Sequence, residues 1–94
     1  MYEIRTQKEV RKVIHDNVRD IRKAKGVSAT HIGKALGYVT SQGYYYLESG
    51  QVDMSAEKLK VIANVLGEDV GVFFDDELTK IVTERIRGVG VARD

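Results

Sequence analysis

Apolar residues recur at steps of three and four along most of the chain, which is the spacing of one face of an α-helix. In the first segment these residues are Val10, Val13, Ile14, Val18 and Ile21. The pattern predicts a helix from about Thr6 to Lys25 that stops at Gly26. No segment has the alternation of a half-buried β-strand, and the chain contains no proline. The sequence therefore predicts an all-α fold.

Residues 27–50, VSATHIGKALGYVTSQGYYYLESG, carry two shorter helical patterns on either side of a glycine. Ser28 is a suitable N-cap for the first helix, which Gly37 ends. Either Thr40 or Ser41 caps the second helix, and Gly50 follows its last turn. The side chains that these patterns turn inward are Ile32, Ala35 and Leu36 in the first helix and Tyr44 and Leu47 in the second.

Gly33 lies in the middle of the first of these two helices, where a glycine costs about 1 kcal/mol relative to alanine. We interpret it as the point where the two helices approach each other closely. Two short helices joined by a glycine-containing turn are typical of the helix-turn-helix, whose second helix enters the major groove of DNA. This segment therefore points to DNA binding.

The next segments also have helical patterns. Ser55 opens a helix that Gly67 closes, and its inward residues are Leu59, Ile62, Ala63 and Leu66. Asp69 then caps the short segment VGVFF. Both Phe73 and Phe74 in that segment are predicted to close the bottom of the core.

A last helix is predicted from Asp75 or Asp76 to Gly88, and the tail VGVARD after it is expected to be frayed. Its apolar stripe consists of Leu78, Ile81, Val82 and Ile86. Because such a stripe needs a partner surface, it forms either a dimer interface or a contact with the first helix of the same chain. We divide the chain into an N-terminal helical extension (1–15), a helix-turn-helix domain (16–74) and a C-terminal helix and tail (75–94).

Composition limits the chemistry that the 94 residues can perform. There is no cysteine, so a disulfide or a cysteine-based site is excluded. His15 and His31 have no ligand residues at suitable spacing, so both are expected on the surface and no metal is predicted. Glu77 and Glu84 have no nucleophile beside them, so they are not predicted to act as a general acid and a general base. The chain is therefore expected to be neither an enzyme nor a cofactor-binding protein. Without a long apolar run or the apolar core of a signal peptide, the chain is expected to be cytoplasmic and not membrane-bound.

The net charge of +1 is distributed unevenly along the chain. Residues 1–37 contain nine Lys or Arg against four Asp or Glu, whereas residues 38–94 contain six against ten. Phosphate contacts act over about a Debye length, roughly 10 Å at 0.1 M salt, so a local excess matters more than the total. The N-terminal excess is therefore either a basic face for DNA or incidental charge on solvated helices.

From Ile21 to Phe74 the chain resembles the Cro/repressor-type, or XRE, family of helix-turn-helix proteins. The resemblance lies in the order and spacing of four motifs: IRKAKGVS at 21–28, Leu-Gly at 36–37, Glu-Ser-Gly at 48–50 and ANVLG at 63–67. It implies a five- to six-helix, lambda-repressor-like DNA-binding domain with an N-terminal helix extension and an extra C-terminal helix. It also implies a sequence-specific transcriptional regulator, expected to be a repressor, that binds double-stranded DNA as a homodimer.

Three features depart from the family pattern. Ala29 stands where the family often has a glutamine that contacts a phosphate. The interval 37–50 is one residue longer than the commonest form, with the extra residue expected at Tyr38 or Val39. The loop GQVDMS brings an acidic residue, Asp53, to a place where basic residues are common. Each departure weakens or shifts an expected phosphate contact.

The resemblance places the recognition helix at about residues 41–48, with four of its side chains pointing outward: Ser41, Gln42, Tyr45 and Tyr46. Gln42 can pair bidentately with adenine, while a tyrosine ring offers an apolar surface to the methyl group of thymine. No Lys or Arg is present here for guanine, which favours an A·T-leaning half-site. The expected DNA contacts are Ser28, Thr30, Lys34, Thr40, Ser41, Gln42, Tyr45, Tyr46, Ser49 and Gln51.

Two further expectations come from the same motif. The resemblance pairs Arg22 with Glu48 in a partly buried ion pair that orients the recognition helix. The exposed Tyr45 and Tyr46 also allow a second hypothesis, because tyrosine is enriched at protein interfaces. In that case the chain is a protein-interaction module of the same fold, such as an antitoxin or a phage-type accessory protein, and it docks a protein partner.

Overall fold

The computed structural model describes the backbone of residues 6–92 and the side chains of residues 6–88. This part of the chain consists of helices and turns without a β-strand, which confirms the predicted all-α class. The elements are α1 (Gln7–Lys25), α2 (Ala29–Ala35), α3 (Ser41–Glu48), α4 (Ala56–Leu66), a short 3-10 helix (Val70–Phe74) and α5 (Asp76–Ala92).

Capping residues set the helix ends where the sequence predicts them. Thr6 and Glu9 form a reciprocal capping box at the start of α1, with N···O distances of 3.1 and 2.8 Å. The Ser28 hydroxyl accepts from a backbone N–H at the start of α2, and that of Ser55 does the same for α4. Left-handed glycines follow α1 and α4, and their backbone N–H groups donate to carbonyls of the last turn.

The core lies between α1 and the elements that pack on it, namely α3, α4, the 3-10 helix and α5, while α2 packs on α3 and α4. Its fully buried side chains come from every element up to the 3-10 helix: Val18, Ile21, Ile32, Tyr44, Leu47, Ile62 and Phe73. The inward positions predicted for α4 are all buried. The helical periodicity of the sequence therefore identifies most of the core.

Two residues predicted to face the core lie on the surface. The buried face of α2 is centred between Ile32 and Gly33, and Ala35 lies on the far side of Ile32, where it is exposed. Phe73 is fully buried, but Phe74 is 54% exposed. Successive residues of a 3-10 helix point about 120° apart, so only one of two adjacent phenylalanines can face the core.

The apolar stripe predicted for α5 is buried along one edge and exposed along the other. Val82 is buried in the core and Ile86 packs against it, whereas Leu78 and Ile81 are 45% and 49% exposed. Thr79 sets the rotation of α5 about its own axis, because its hydroxyl is buried and donates to the carbonyl of Val72 at 2.7 Å. One edge of the predicted stripe therefore packs within the chain, and Leu78 and Ile81 form its exposed edge. The helix also continues past the predicted end at Gly88 to residue 92, through much of the tail expected to be frayed.

His15 is buried, with 2% of its surface exposed, which corrects the prediction of a surface residue. Its ring packs beside the end of α3, since a Cβ built on Gly50 would lie 4.0 Å from its Cδ2. Burial lowers the pKa of His15 below its ordinary value of 6.5. The backbone carbonyl of Leu47 favours the charged ring, but neither ring nitrogen makes a hydrogen bond of normal geometry, so burial dominates.

We expect His15 to make the protein less stable in mild acid. The unfolded chain takes up a proton near pH 6.5 and the folded chain only at lower pH, so stability falls as the pH drops through this window. The loss is at most about 1.4 kcal/mol per pH unit. Urea unfolding at several pH values should show a flatter profile for His15→Leu than for the wild type. Parallel profiles for His15→Leu and the wild type would contradict this expectation.

Candidate nucleic-acid interface

The helix-turn-helix is formed by α2 and α3, which meet at Gly33. A Cβ built on Gly33 would lie 3.3 Å from the Cβ of Tyr44, closer than most real contacts. The predicted close approach of the two helices is therefore confirmed. Gly37 has a φ of 87°, a left-handed conformation that favours glycine, and so ends α2 as expected.

The turn between α2 and α3 is held in place by Tyr38. Its backbone N–H donates to the carbonyl of Gly33 at 2.9 Å. Its ring covers Gly43, where an added Cβ would lie only 2.8 Å from the ring. On the other side, the Nζ atom of Lys58 lies 5.8 Å from the ring centroid. Val39, the next residue, is 98% exposed.

Thr40 occupies the N-cap position of α3, with φ −129° and ψ 160°. Unlike the caps of α1, α2 and α4, its side chain makes no capping hydrogen bond. Of the two predicted caps, Thr40 thus holds the position without satisfying a backbone N–H of the first turn. Its exposed hydroxyl leaves those groups open to solvent or to a ligand.

All residues expected to contact DNA are exposed except Ser41, which is half-buried. Four of them, Gln42, Tyr45, Tyr46 and Ser49, follow one another at steps of three and four and share the outer face of α3. Thr40 and Ser41 lie at its N-terminal end. Ser28, Thr30 and Lys34 lie on α2 or its cap, and Ala29 between them is buried in the core. The motif therefore gathers the expected contact residues of α3 on one face, and the expected contact residues of α2 lie on the neighbouring helix.

The C-terminal end of this face is tied by side-chain hydrogen bonds. The Ser49 hydroxyl donates to the carbonyl of Tyr46 at 3.0 Å and accepts from the Gln51 amide at 3.3 Å. These contacts bring Gln51 next to Ser49 at the end of the recognition helix. Both residues remain exposed.

The inner face of α3 is anchored by the ion pair that the resemblance implies. Arg22 donates to both carboxylate oxygens of Glu48, at 2.6 and 3.0 Å, and both side chains are at least nine-tenths buried. Arg22 also donates to the carbonyl of Val27 at 3.0 Å. This bidentate geometry fixes α3 against α1. The hydrogen bond from Arg22 to Glu48 raises the pKa of the guanidinium, so Arg22 keeps its charge.

Tyr44 adds a third member that sequence reasoning missed. It is fully buried as predicted, and its hydroxyl donates to Glu48 at 2.8 Å. Burial, reinforced by Glu48, raises the pKa of Tyr44, so the hydroxyl keeps its proton. The signal available in the sequence was the i, i+4 spacing of Tyr44 and Glu48 on one helix.

Most cations of the basic N-terminal part are paired with carboxylates. The pairs are Arg11 with Asp53, Lys12 with Asp16, Arg19 with Asp16 and Asp20, Arg22 with Glu48, and Lys25 with Glu68. Among the described residues, Lys8, Lys23 and Lys34 of this part have no such partner. Asp53, the acidic departure from the family pattern, is thus partly neutralised by Arg11 at 2.9 Å. Positive charge near α3 comes from Lys34 on α2 and Lys58 beside Tyr38.

A helical domain whose α2–α3 motif exposes a polar and aromatic face, anchored from behind by a buried ion pair, is a helix-turn-helix DNA-binding domain. The profile of the helix-turn-helix family HTH_3 matches residues 18–73. The chain belongs to this family, the Cro/XRE type, which confirms the resemblance seen in the sequence. No curated protein and no solved structure matches the chain. Within the described residues, no helix has the length and apolar character needed to cross a bilayer.

Proposed function

We propose that this protein is a sequence-specific transcriptional repressor of the cytoplasm, without enzymatic activity, that inserts α3 into the major groove of double-stranded DNA. The observation that carries the proposal is the division of α3 into two faces. Tyr44, Leu47 and Glu48 are buried and fix the helix, while Gln42, Tyr45 and Tyr46 are exposed together. A rigid helix with an exposed polar face suits base readout, because its side chains are already positioned before binding.

Residues around α3 would position the domain on the phosphates. Lys34 and Lys58 supply charge on the flanks, and the hydroxyls of Ser28, Thr30 and Thr40 supply neutral donors. The uncapped first turn of α3 has backbone N–H groups that favour a negative charge. Such contacts give affinity without sequence information, whereas the outer face of α3 gives specificity.

Salt dependence of binding tests this proposal directly. Affinity for a duplex selected from a random DNA pool should fall steeply and log-linearly with salt, with a slope that reports the number of phosphates contacted. Lys34→Ala should reduce that slope by about one and weaken all sequences alike. Absence of any salt-dependent binding to duplex DNA would overturn the proposal.

Gln42→Ala should cost about 1 to 3 kcal/mol of binding free energy on the selected site and relax the preference at one base pair per half-site. The reason is that the exposed amide of Gln42 matches the N6 and N7 pattern of adenine. The measurement is a second selection with the variant, followed by comparison of the two binding-site logos. An unchanged logo would show that Gln42 reads no base.

The proposal includes a homodimer, as expected from the sequence for Leu78, Ile81, Val82 and Ile86. The exposed part of that set, Leu78 and Ile81, supports it best, because an apolar pair on a helix surface needs cover. Phe74 and Val10, which are also exposed, line a groove of about 310 Å³ together with Asp75, Asp76 and Glu77. Two copies related by a two-fold axis would present two α3 helices to half-sites about 34 Å apart.

A second candidate function is the docking of a protein partner through Val39, Tyr45 and Tyr46. The observation in its favour is that these three side chains expose apolar area at the motif that should meet DNA. The two functions differ in their dependence on salt. Binding to a protein through this surface should persist at salt concentrations that abolish binding to DNA.

A further inference from the structure

A cleft of about 430 Å³ lies between the first half of α1 and the loop that follows α3. The side chains that line its two walls are Val10, Arg11, Ile14 and His15 on α1, and Asp53 and Met54 on the loop. The α1 wall precedes residue 18, where the match to the helix-turn-helix family begins. The cleft is therefore built partly by residues outside the matched family domain.

Three of the lining side chains are apolar. Ile14 and Met54 are half-buried and pack against the core, and Val10 is 41% exposed. Each leaves apolar surface that a ligand can cover without a change in the fold. The volume of the cleft lies within the range of small-molecule sites, which combine apolar walls with a few polar groups that fix the orientation of the ligand.

The ion pair between Arg11 and Asp53 joins one wall of the cleft to the other. The Nε atom of Arg11 lies 2.9 Å from a carboxylate oxygen of Asp53, and the two side chains are 43% and 75% exposed. An ion pair this exposed stabilises the fold little, so opening it costs little. Both groups also have binding capacity left within the pair, because a guanidinium has five N–H donors and a carboxylate has about four acceptor sites.

The cleft thus presents one positive and one negative group side by side, next to an apolar surface. His15 is buried and burial lowers its pKa, so it adds no further charge at neutral pH. A ligand with a single charge would pair with only one of the two groups. A ligand whose carboxylate and ammonium groups are adjacent matches both, and an α-amino acid carries these groups on the same carbon atom.

We propose that this cleft binds a free α-amino acid with an apolar side chain. The carboxylate of the ligand accepts hydrogen bonds from the guanidinium of Arg11, and its ammonium group donates to Asp53. The side chain of the ligand covers the apolar surface of Val10, Ile14 and Met54. This binding site goes beyond the proposed DNA-binding function and does not depend on it.

Titration of the full chain with leucine tests the site. At constant ionic strength, leucine should change the NMR amide shifts of both walls, at residues 10–15 and 53–55. Glycine, which has no side chain, should bind at least about tenfold more weakly. The isomer ε-aminocaproate has the same two charges far apart and should also bind more weakly than leucine. Absence of shifts with leucine, or equal affinity for leucine and either of these compounds, would overturn the proposal.

Analogues that lack one charge assign each contact to one residue. Leucinamide lacks the carboxylate and isocaproate lacks the amino group, and each should bind about three- to tenfold more weakly than leucine. In Arg11→Gln the preference for leucine over leucinamide should disappear. In Asp53→Asn the preference for leucine over isocaproate should disappear. Both side chains are exposed, so the two variants should fold normally.

The matched controls are Arg19→Gln and Asp20→Asn, which break an ion pair on the same helix outside the cleft. The side chain of Arg19 is 41% exposed, close to the value for Arg11. Both controls should keep the affinity and the preferences of the wild type. If Arg11→Gln and Asp53→Asn behave like the controls, or if leucinamide or isocaproate binds as tightly as leucine, recognition of an α-amino acid is wrong. The DNA-binding function is decided separately, by the salt dependence of duplex binding.

Discussion

Replacing Glu48 with alanine is expected to lower the free energy of unfolding by about 3 to 5 kcal/mol, the cost of leaving one partner of a buried ion pair uncompensated. The change strands the Arg22 guanidinium, which is within 3.0 Å of both carboxylate oxygens, and removes the acceptor of the Tyr44 hydroxyl. The exposed Glu57→Ala on α4 is the matched control and should change stability by less than about 0.5 kcal/mol. Urea unfolding of the two variants provides the comparison.

A double-mutant cycle separates the interaction from the loss of two independent side chains. Arg22→Ala should also be strongly destabilising, but the double variant should lose less stability than the two single variants added together. The difference measures the coupling between Arg22 and Glu48. Strict additivity would mean that the two residues do not interact. Because the pair fixes α3 on α1, the single variants should also weaken DNA binding at temperatures where they remain folded.

Changing Leu78 and Ile81 together to aspartate is expected to give a folded monomer whose affinity for the full DNA site falls by about 100-fold or more, the effect of losing the second half-site. Both side chains are about half exposed and lie outside the buried core, so the substitutions should leave the fold intact. Val82 and Ile86, which pack in or against the core, are unsuitable because a charge there would unfold the domain.

Sedimentation analysis gives the decisive comparison. Wild type should be a dimer and Leu78→Asp/Ile81→Asp a monomer, with similar helix content by circular dichroism. Val61→Asp, a charge placed on the exposed face of α4, should remain dimeric and bind DNA normally. A wild type that is monomeric at tens of micromolar, both free and on its DNA site, would refute the dimer.

Much of the fold follows from the sequence because local interactions decide it. Helix ends depend on a capping side chain and a glycine within a few residues, and the ends of α1, α2 and α4 lie where Thr6, Ser28 and Gly67 predict them. The core of α4 follows from periodicity alone. The order of the motifs was also sufficient to identify the family, and the match over residues 18–73 confirms that identification.

The exposed face of α3 was predictable to the same extent. Glu48 and Tyr44 had to face inward for the motif to pack, and the opposite face then carries Gln42, Tyr45 and Tyr46. What the sequence did not reveal is the geometry of the turn between α2 and α3. The ring of Tyr38 covers Gly43, a contact that forms only when the turn folds over α3.

The sequence by itself determined the helices, the family and the residues of the recognition helix, since periodicity, capping and motif order are properties of neighbouring residues. Tertiary structure alone decided how each helix is rotated against the core. Thr79, a polar residue that no hydrophobic pattern includes, is buried by its hydrogen bond to Val72 and so turns Leu78 and Ile81 outward. His15 is buried because α1 packs beside the end of α3. Such rotations depend on partners distant in the chain, and a local pattern carries no information about them.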